Sequence, residues 1–423
     1  MCLLAFVANG CSTHIRPRGT PVGEEPRVFR ERVVHDGPER YASWFGDSDG
    51  RVLYFGLSPF WEALRQCESR GGTLCALGDL EHAGEHLIGR FDMEREAFLP
   101  PLRVRGSDHT ARSSVWDVLV HSNERIYYTT AWDEFGSVRP DGSDVQHYDG
   151  AGLGLNELWE GPEGEIYATR YVGSIDGSKN AAGAVAVFGA DGRHRREFAF
   201  PKAPDGSIIC PKSLAVDPQT RDIWLTSDLF HADGAPAGHP AFRVAPSGVV
   251  LQRVAEPELA FVSFDPQGRG WFVDDAGGHW ILRIIDPDGT VTRLDLGVHG
   301  AIDGLQDIKH AGGVTLLATW GLAVHVVRRS NGGQWEAIAL RVPPLRDCPG
   351  DFALGYTAAL SPRGTIYETV YCVVSVVRVA SMTALSGTIG SPGSGRHGTA
   401  ASRRPRAMWP RLPVAGAASG PTR

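Results

Sequence analysis

Lysine is almost missing from this chain: four of its 42 basic residues, the other 38 being arginine. That imbalance reads as genome composition and carries no function. Cysteine is sparse, seven in 423 residues, and none stand in the paired Cys-x-x-Cys spacing of a zinc site. No apolar run reaches the roughly 18 residues of a membrane helix. Gly-x-Ser-x-Gly, P-loop and His-Glu-x-x-His motifs are absent, which argues against a Ser hydrolase and a P-loop nucleotide hydrolase. What is abundant is glycine (52) and proline (28). Both cost stability inside helices, so a helical bundle or coiled coil is excluded and many short strands joined by turns are expected. At 42% hydrophobic and 22% charged, the chain can bury a sizeable core.

The net charge of −7 is unevenly spread. Residues 381–423 hold six arginines and no acid, so the remainder carries 36 basic against 49 acidic residues, or −13. An acidic body argues against nucleic acid as a partner and suits a cation-binding or simply a soluble protein. The tail, rich in Gly, Ser, Ala, Pro and Arg, reads as disordered; Arg403, Arg404 and Arg406 give it an anion-binding alternative. At the other end, Met1 to Ser12 has a short apolar run closing on Cys11. It resembles the end of a bacterial lipoprotein signal that lacks its basic start, with Cys11 the lipidated residue; a frayed terminus or short strand is the alternative. Residues 1–20 are thus a signal-type segment and linker, 21–380 one domain and 381–423 the tail. The periplasm or cell envelope follows as the location if Cys11 is lipidated, the cytoplasm if not. Cys67 and Cys75 bracket a turn that a small disulfide would close in an exported protein; two free thiols are the alternative.

A unit repeats through the body: an apolar strand, an Asp-Pro-x-Gly type turn, then a strand with an aliphatic–aromatic pair. Its copies end at residues 53, 127, 167, 224, 271, 317 and 367, with gaps of 74, 40, 57, 47, 46 and 50. Four-stranded blades take about 40–50 residues. The expected fold is therefore all-β, a seven-bladed β-propeller of four-stranded antiparallel blades, with six blades as the alternative because the first copy is the weakest. Blade seven, 354–380, is one strand short, and Arg27–His35 is the candidate to complete it. A monomer is expected. Over about 41–380 the Asp-Pro-x-Gly and Gly-x-Ile-Tyr motifs resemble the propeller superfamily of gluconolactonase and senescence-marker-like proteins, streptogramin B lyases and NHL-repeat proteins.

Aligning the copies places Ser43, Asp117, Glu157, Ser213, Phe261, Asp307 and Thr357 on one ring at the channel mouth. Carboxylates gathered in a ring need a compensating cation, and oxygen donors suit Ca²⁺ or another divalent ion. Asn156-Glu157 and Asp303 through Asp307 resemble the blade entries that hold a divalent metal in gluconolactonase-like proteins. The expected metal ligands are Asp117, Asn156, Glu157, Asp303 and Asp307. Among rim residues, Asp274, Asp275, His231, His279 and His299 are candidates to move a proton; a rim His with Mg²⁺ also resembles the streptogramin lyases. Trp116, Arg170, Tyr171, Lys212, Trp320 and Tyr356 are candidate ligand-binding residues, the aromatic ones by stacking, with Trp280 as a further rim aromatic. His121 and His310 fall at the turns on the opposite face and are set aside. The resemblance implies a metal-dependent hydrolase or lyase acting on a small ester, lactone or sugar acid. The alternative is a non-enzymatic propeller that binds a protein, peptide or glycan with the same face.

Overall fold

The structure, a computed structural model, describes residues 42–58, 86–104, 115–130, 134–148, 155–170, 183–200, 207–230, 236–254, 258–276, 278–298, 305–319, 323–330, 332–341, 353–372 and 376–383. The first sheet holds β1 (Ala42–Ser48), β2 (Val52–Ser58), β3 (His86–Asp92) and β4 (Ala97–Val104). The second holds β5 (Asp117–Val120), β6 (Ile126–Thr129), β7 (Phe135–Val138) and β8 (Gln146–His147). The third is β9 (Leu155–Glu160), β10 (Ile166–Arg170), β11 (Ala184–Phe188) and β12 (His194–Ala199). The fourth has five strands: β13 (Ile208–Val216), β14 (Ile223–Phe230), a short β15 (Pro236–Gly238), β16 (Ala241–Val244) and β17 (Val250–Val254). The fifth is β18 (Glu258–Phe264), β19 (Gly270–Asp275), β20 (His279–Ile285) and β21 (Val291–Val298). The sixth is β22 (Leu305–Ala311), β23 (Val314–Thr319), β24 (Ala323–Arg329) and β25 (Trp335–Arg341). The last is β26 (Ala353–Leu360), β27 (Thr365–Cys372) and β28 (Val376–Thr383). Every pairing is antiparallel.

The chain is an all-β propeller: six sheets with the four-stranded blade pattern, and a last sheet with three strands among the described residues. The segment Arg27–His35, expected to supply the missing strand, lies outside the described residues. The first strands β1, β5, β9, β13, β18, β22 and β26 each touch the next, and β26 returns to β1.

The turn chemistry is regular. Asp265 Oδ1 accepts the backbone N–H of Gln267 (3.0 Å) and of Arg269 (2.9 Å), and Gly268 N donates to Asp265 O (2.8 Å). Gly268 sits at φ 78°, a left-handed conformation that glycine adopts without a Cβ clash.

Apolar clusters fill each sheet–sheet gap. Val52, Tyr54, Val118 and Tyr128 join blades one and two; Tyr127, Phe135, Leu155 and Phe188 join two and three. Tyr167, Phe200, Leu214 and Phe242 join three and four, and Ala215, Ala241, Val262 and Phe272 join four and five. Trp271, Trp280, Leu305 and Leu317 join five and six; Leu316, Val324, Ile366 and Val370 join the sixth to the last. Leu53, Phe91, Ala359 and Tyr367 close the ring. A single blade has two apolar faces and can bury them only against neighbours.

In most copies the large residue that ends the repeat packs on the following blade, as Tyr54, Tyr127, Tyr167, Trp271 and Tyr367 show. Two expected repeat ends shift by one residue, from 53 to Tyr54 and from 317 to Leu316. Tyr54 pairs with Asp47, and Leu316 pairs with Lys309. The cause is hairpin length. The sixth blade turns on Gly312-Gly313 alone, with Ala311 opposite Val314, which moves its second strand by one position.

Candidate functional site

Six of the seven first strands carry a register shift near their loop-proximal end: at Ser43/Gly46 in β1, opposite the Ala168/Arg170 step in β9, at Pro211/Leu214 in β13, Leu259/Phe261 in β18, Leu305/Asp307 in β22 and Gly355/Thr357 in β26. A bulge re-aims the side chain beside it. The corrected register puts Phe45, not Ser43, on the ring with Asp117, Glu157, Ser213, Phe261, Asp307 and Thr357.

The three ring carboxylates form one electrostatic unit. Asp117 Oδ1 accepts Val118 N–H (2.8 Å) and its Oδ2 accepts Leu158 N–H (2.7 Å), tying blade two to blade three. Burial raises its carboxyl to about 7, against those amides and the Lys309 ammonium, which pull it down. Asp307 is raised to about 6, again by burial first, although Lys309 Nζ stands 3.5 Å from its Oδ2. The same ammonium lies 3.2 Å from Asp47 Oδ1, and these acids push its own pKa up. Asp47 Oδ2 in turn accepts Val120 N–H (3.0 Å), a blade-one to blade-two link.

Glu157 stands apart. It is partly exposed, and among the described residues its carboxyl makes no hydrogen bond or ion pair. Burial raises its pKa well above the ordinary range, and the Asp117, Asp307 and Asp228 charges raise it further, while Lys212 lowers it. A residue of blade three that senses acids on blades two, four and six faces the central channel.

Of the expected metal ligands, then, Asp117, Glu157 and Asp307 share one electrostatic unit, Asn156 is buried on the same strand as Glu157, and Asp303 lies outside the described residues. Among the described residues no three His, Cys, Asp or Glu side chains come together with the spacing of a metal cage. Both Asp117 oxygens are engaged by amides and Asp307 by Lys309, so this part of the donor set does not fit a six- to eight-oxygen calcium cage.

The expected proton carriers are held elsewhere. Asp274 is bound by the Arg283 guanidinium (2.7 Å to Oδ1), and Asp275 Oδ1 accepts Gly278 N–H (2.8 Å). His279 Nε2 pairs with Asp295 Oδ1 (2.6 Å) across β20 and β21, the outer strands of its blade. His231 and His299 lie outside the described residues, as do Tyr171, Trp320, Cys11 and the Cys67–Cys75 turn; Tyr356 is the extra residue of the β26 shift.

The Trp116 ring lies 4.4 Å from Trp44 and 5.7 Å from Phe45, tilted against both, an aromatic group between blades one and two. Arg170 pairs with Glu197 (2.9 Å) within its own blade, Lys212 faces Glu157, and Trp280 is buried between blades.

Two features were missed from the sequence. One is the partnership of Asp47, Asp228 and Lys309 with the ring. The other is a set of buried threonines two residues beyond the repeat end: Thr129, Thr169, Thr226 and Thr369. Thr129 Oγ1 donates to Asn156 O (2.7 Å) and Thr226 Oγ1 bonds Ser213 Oγ (2.7 Å). Their fixed offset after Tyr127, Tyr167, Trp224 and Tyr367 was the signal.

No protein-family profile matches the chain, and no curated protein does. Solved structures do resemble it. A catalytically inactive virginiamycin B lyase from Staphylococcus aureus with quinupristin has a TM-score of 0.50 at 12% identity, covering 85% of this chain and 100% of that one. YCF48 bound to D1 peptide gives 0.50 at 13% identity over 86% and 99% of the two chains. A chain of the mitotic checkpoint complex gives 0.51 at 9% identity over 88% and 98%. At such identities the likeness is one of fold, and the fold is the β-propeller.

Proposed function

We propose that this propeller binds a positively charged group, the ammonium or guanidinium of a peptide or small molecule, at the acidic mouth of its channel. One observation carries the reading: Glu157, partly exposed and unpartnered among the described residues, sits among Asp117, Asp228 and Asp307 with Lys212 and Lys309 as the opposing charges. Carboxyls crowded this way stay protonated until a cation arrives. A bound guanidinium would satisfy Glu157 and draw off its proton. A peptide partner agrees with the YCF48 propeller, whose structure holds D1 peptide.

The second reading, a Ca²⁺- or other divalent-metal-dependent hydrolase or lyase, draws on the same raised carboxyls, which also mark a missing positive charge. It needs Asp303 and further donors outside the described residues.

Thermal shift with arginine amide, citrulline amide and CaCl₂ in parallel separates the two. The first reading expects stabilisation by arginine amide alone, lost in Glu157→Gln. Stabilisation by calcium alone selects the metal-dependent reading. No shift with any of them sinks both.

A further inference from the structure

At the turn end of the first strands, away from the acidic ring, Ser263 in β18 meets His310 in β22 of the next blade. Ser263 Oγ lies 2.9 Å from His310 Nε2, and His310 Nδ1 lies 2.9 Å from Thr315 Oγ1. Ser263 and His310 are partly exposed, while Thr315 is buried. The His310 ring lies 5.2 Å from Trp271, tilted at 52°, and Trp271 Nε1–H donates to Asp265 Oδ2 (2.9 Å).

We propose that Ser263 and His310 form a second, catalytic site for acyl transfer, with Ser263 the nucleophile, His310 its general base and Thr315 the positioning residue. A hydroxyl is a weak nucleophile until a base takes its proton, and the base must be held in the right tautomer by a third group. The proposed site uses the tautomer in which Nδ1–H donates to Thr315 Oγ1 and the Nε2 lone pair faces Ser263 Oγ–H. Burial pulls His310 down to about 4, Asp265 opposes that, and Arg269 and Lys309 add to it, so the ring is neutral at pH 7. The site lies by the short turns Asp265–Arg269 and Gly312-Gly313.

The chemistry balances without a co-reactant other than water. Ser263 Oγ forms a bond to the acyl carbon as its proton passes to Nε2. The ester C–O bond breaks, and the leaving alkoxide takes that proton. Water then attacks the acyl-serine through the same base, releasing the acid and restoring Ser263. This site shares no residue with the cation-binding mouth, so either stands or falls alone.

The test uses the full chain with a fluorophosphonate probe, in which the Oγ–P bond forms and fluoride leaves. The expected result is one adduct, mapped by mass spectrometry to Ser263. It is absent in Ser263→Ala and cut at least tenfold in His310→Gln, with both variants melting like the wild type. Labelling rises through about pH 4 and stays level to pH 8, and Thr315→Val moves that limb whereas Thr315→Ser restores it. An unlabelled Ser263 in the folded wild type overturns the proposal. So does labelling that His310→Gln leaves intact, or a pH limb that Thr315→Val does not move.

Discussion

Two carboxyl groups in this molecule are both raised by burial and yet do opposite work. Glu157 looks onto the channel among other acids. Glu368, in β27, is wholly buried, and among the described residues neither of its oxygens has a hydrogen-bond partner. Its strand neighbours Ile366 and Val370 belong to the apolar cluster between the sixth and last sheets, and burial alone raises its pKa to about 8. The folded state therefore keeps a proton that the unfolded chain releases above the ordinary value of 4.5. Stability is greatest below that value and falls as pH climbs to about 8. We predict that Glu368→Leu removes this slope and raises stability at pH 8 by on the order of 3 kcal/mol, read from denaturant melts at pH 5 and pH 8. Glu157→Gln should, by the same linkage, raise stability at neutral pH, and weaken binding of a cationic ligand by roughly tenfold, as loss of a charge-assisted hydrogen bond implies. Neither role could be told from the letters: Glu157 was visible through its ring position, but Glu368 hides in a strand whose Tyr-Glu-Thr looks like any exposed alternation.

Strands and turns were the most readable layer. Repeat spacing, Asp-Pro-x-Gly turns and aliphatic–aromatic pairs located the hairpins because each has a local cause: a left-handed glycine, an Asp accepting amides, an aromatic residue seeking the next blade. Gly268→Ala should cost about 1 kcal/mol or more through its φ of 78°, measurable as a lowered melting midpoint. Register was harder. One residue fewer in the β1–β2 and β22–β23 hairpins shifted two repeat ends, and only the pairing resolved them. Contacts between elements were harder still. Lys309 joins Asp307 on its own strand to Asp47 in the first sheet, a residue far away in sequence. Lys309→Met should strip both acids of their partner and destabilise the fold by about 3 kcal/mol, with the loss largest at neutral pH and shrinking as the acids take up protons.

The whole molecule is a ring, and rings depend on closure. Tyr367 packs in the closing cluster, 5.3 Å from Phe91, and its hydroxyl donates to Met93 O (3.0 Å). Tyr367→Ala should cost about 3–5 kcal/mol, the range for truncating a large buried aromatic, and should split the single melting transition as the first and last sheets part. The charge of the molecule gains a location at this scale. The acidic body inferred from composition concentrates part of its charge at the channel mouth, where Asp47, Asp117, Glu157, Asp228 and Asp307 outnumber Lys212 and Lys309.

Whether that mouth is a cation receptor can be read directly by calorimetric titration of arginine amide into the full chain at pH 6 and pH 8. The account predicts 1:1 binding that tightens with pH and releases a proton, because the ligand favours the ionised form of Glu157, with both effects much reduced in Glu157→Gln. Binding that ignores pH and the Glu157→Gln substitution, or no binding at either pH, would contradict it.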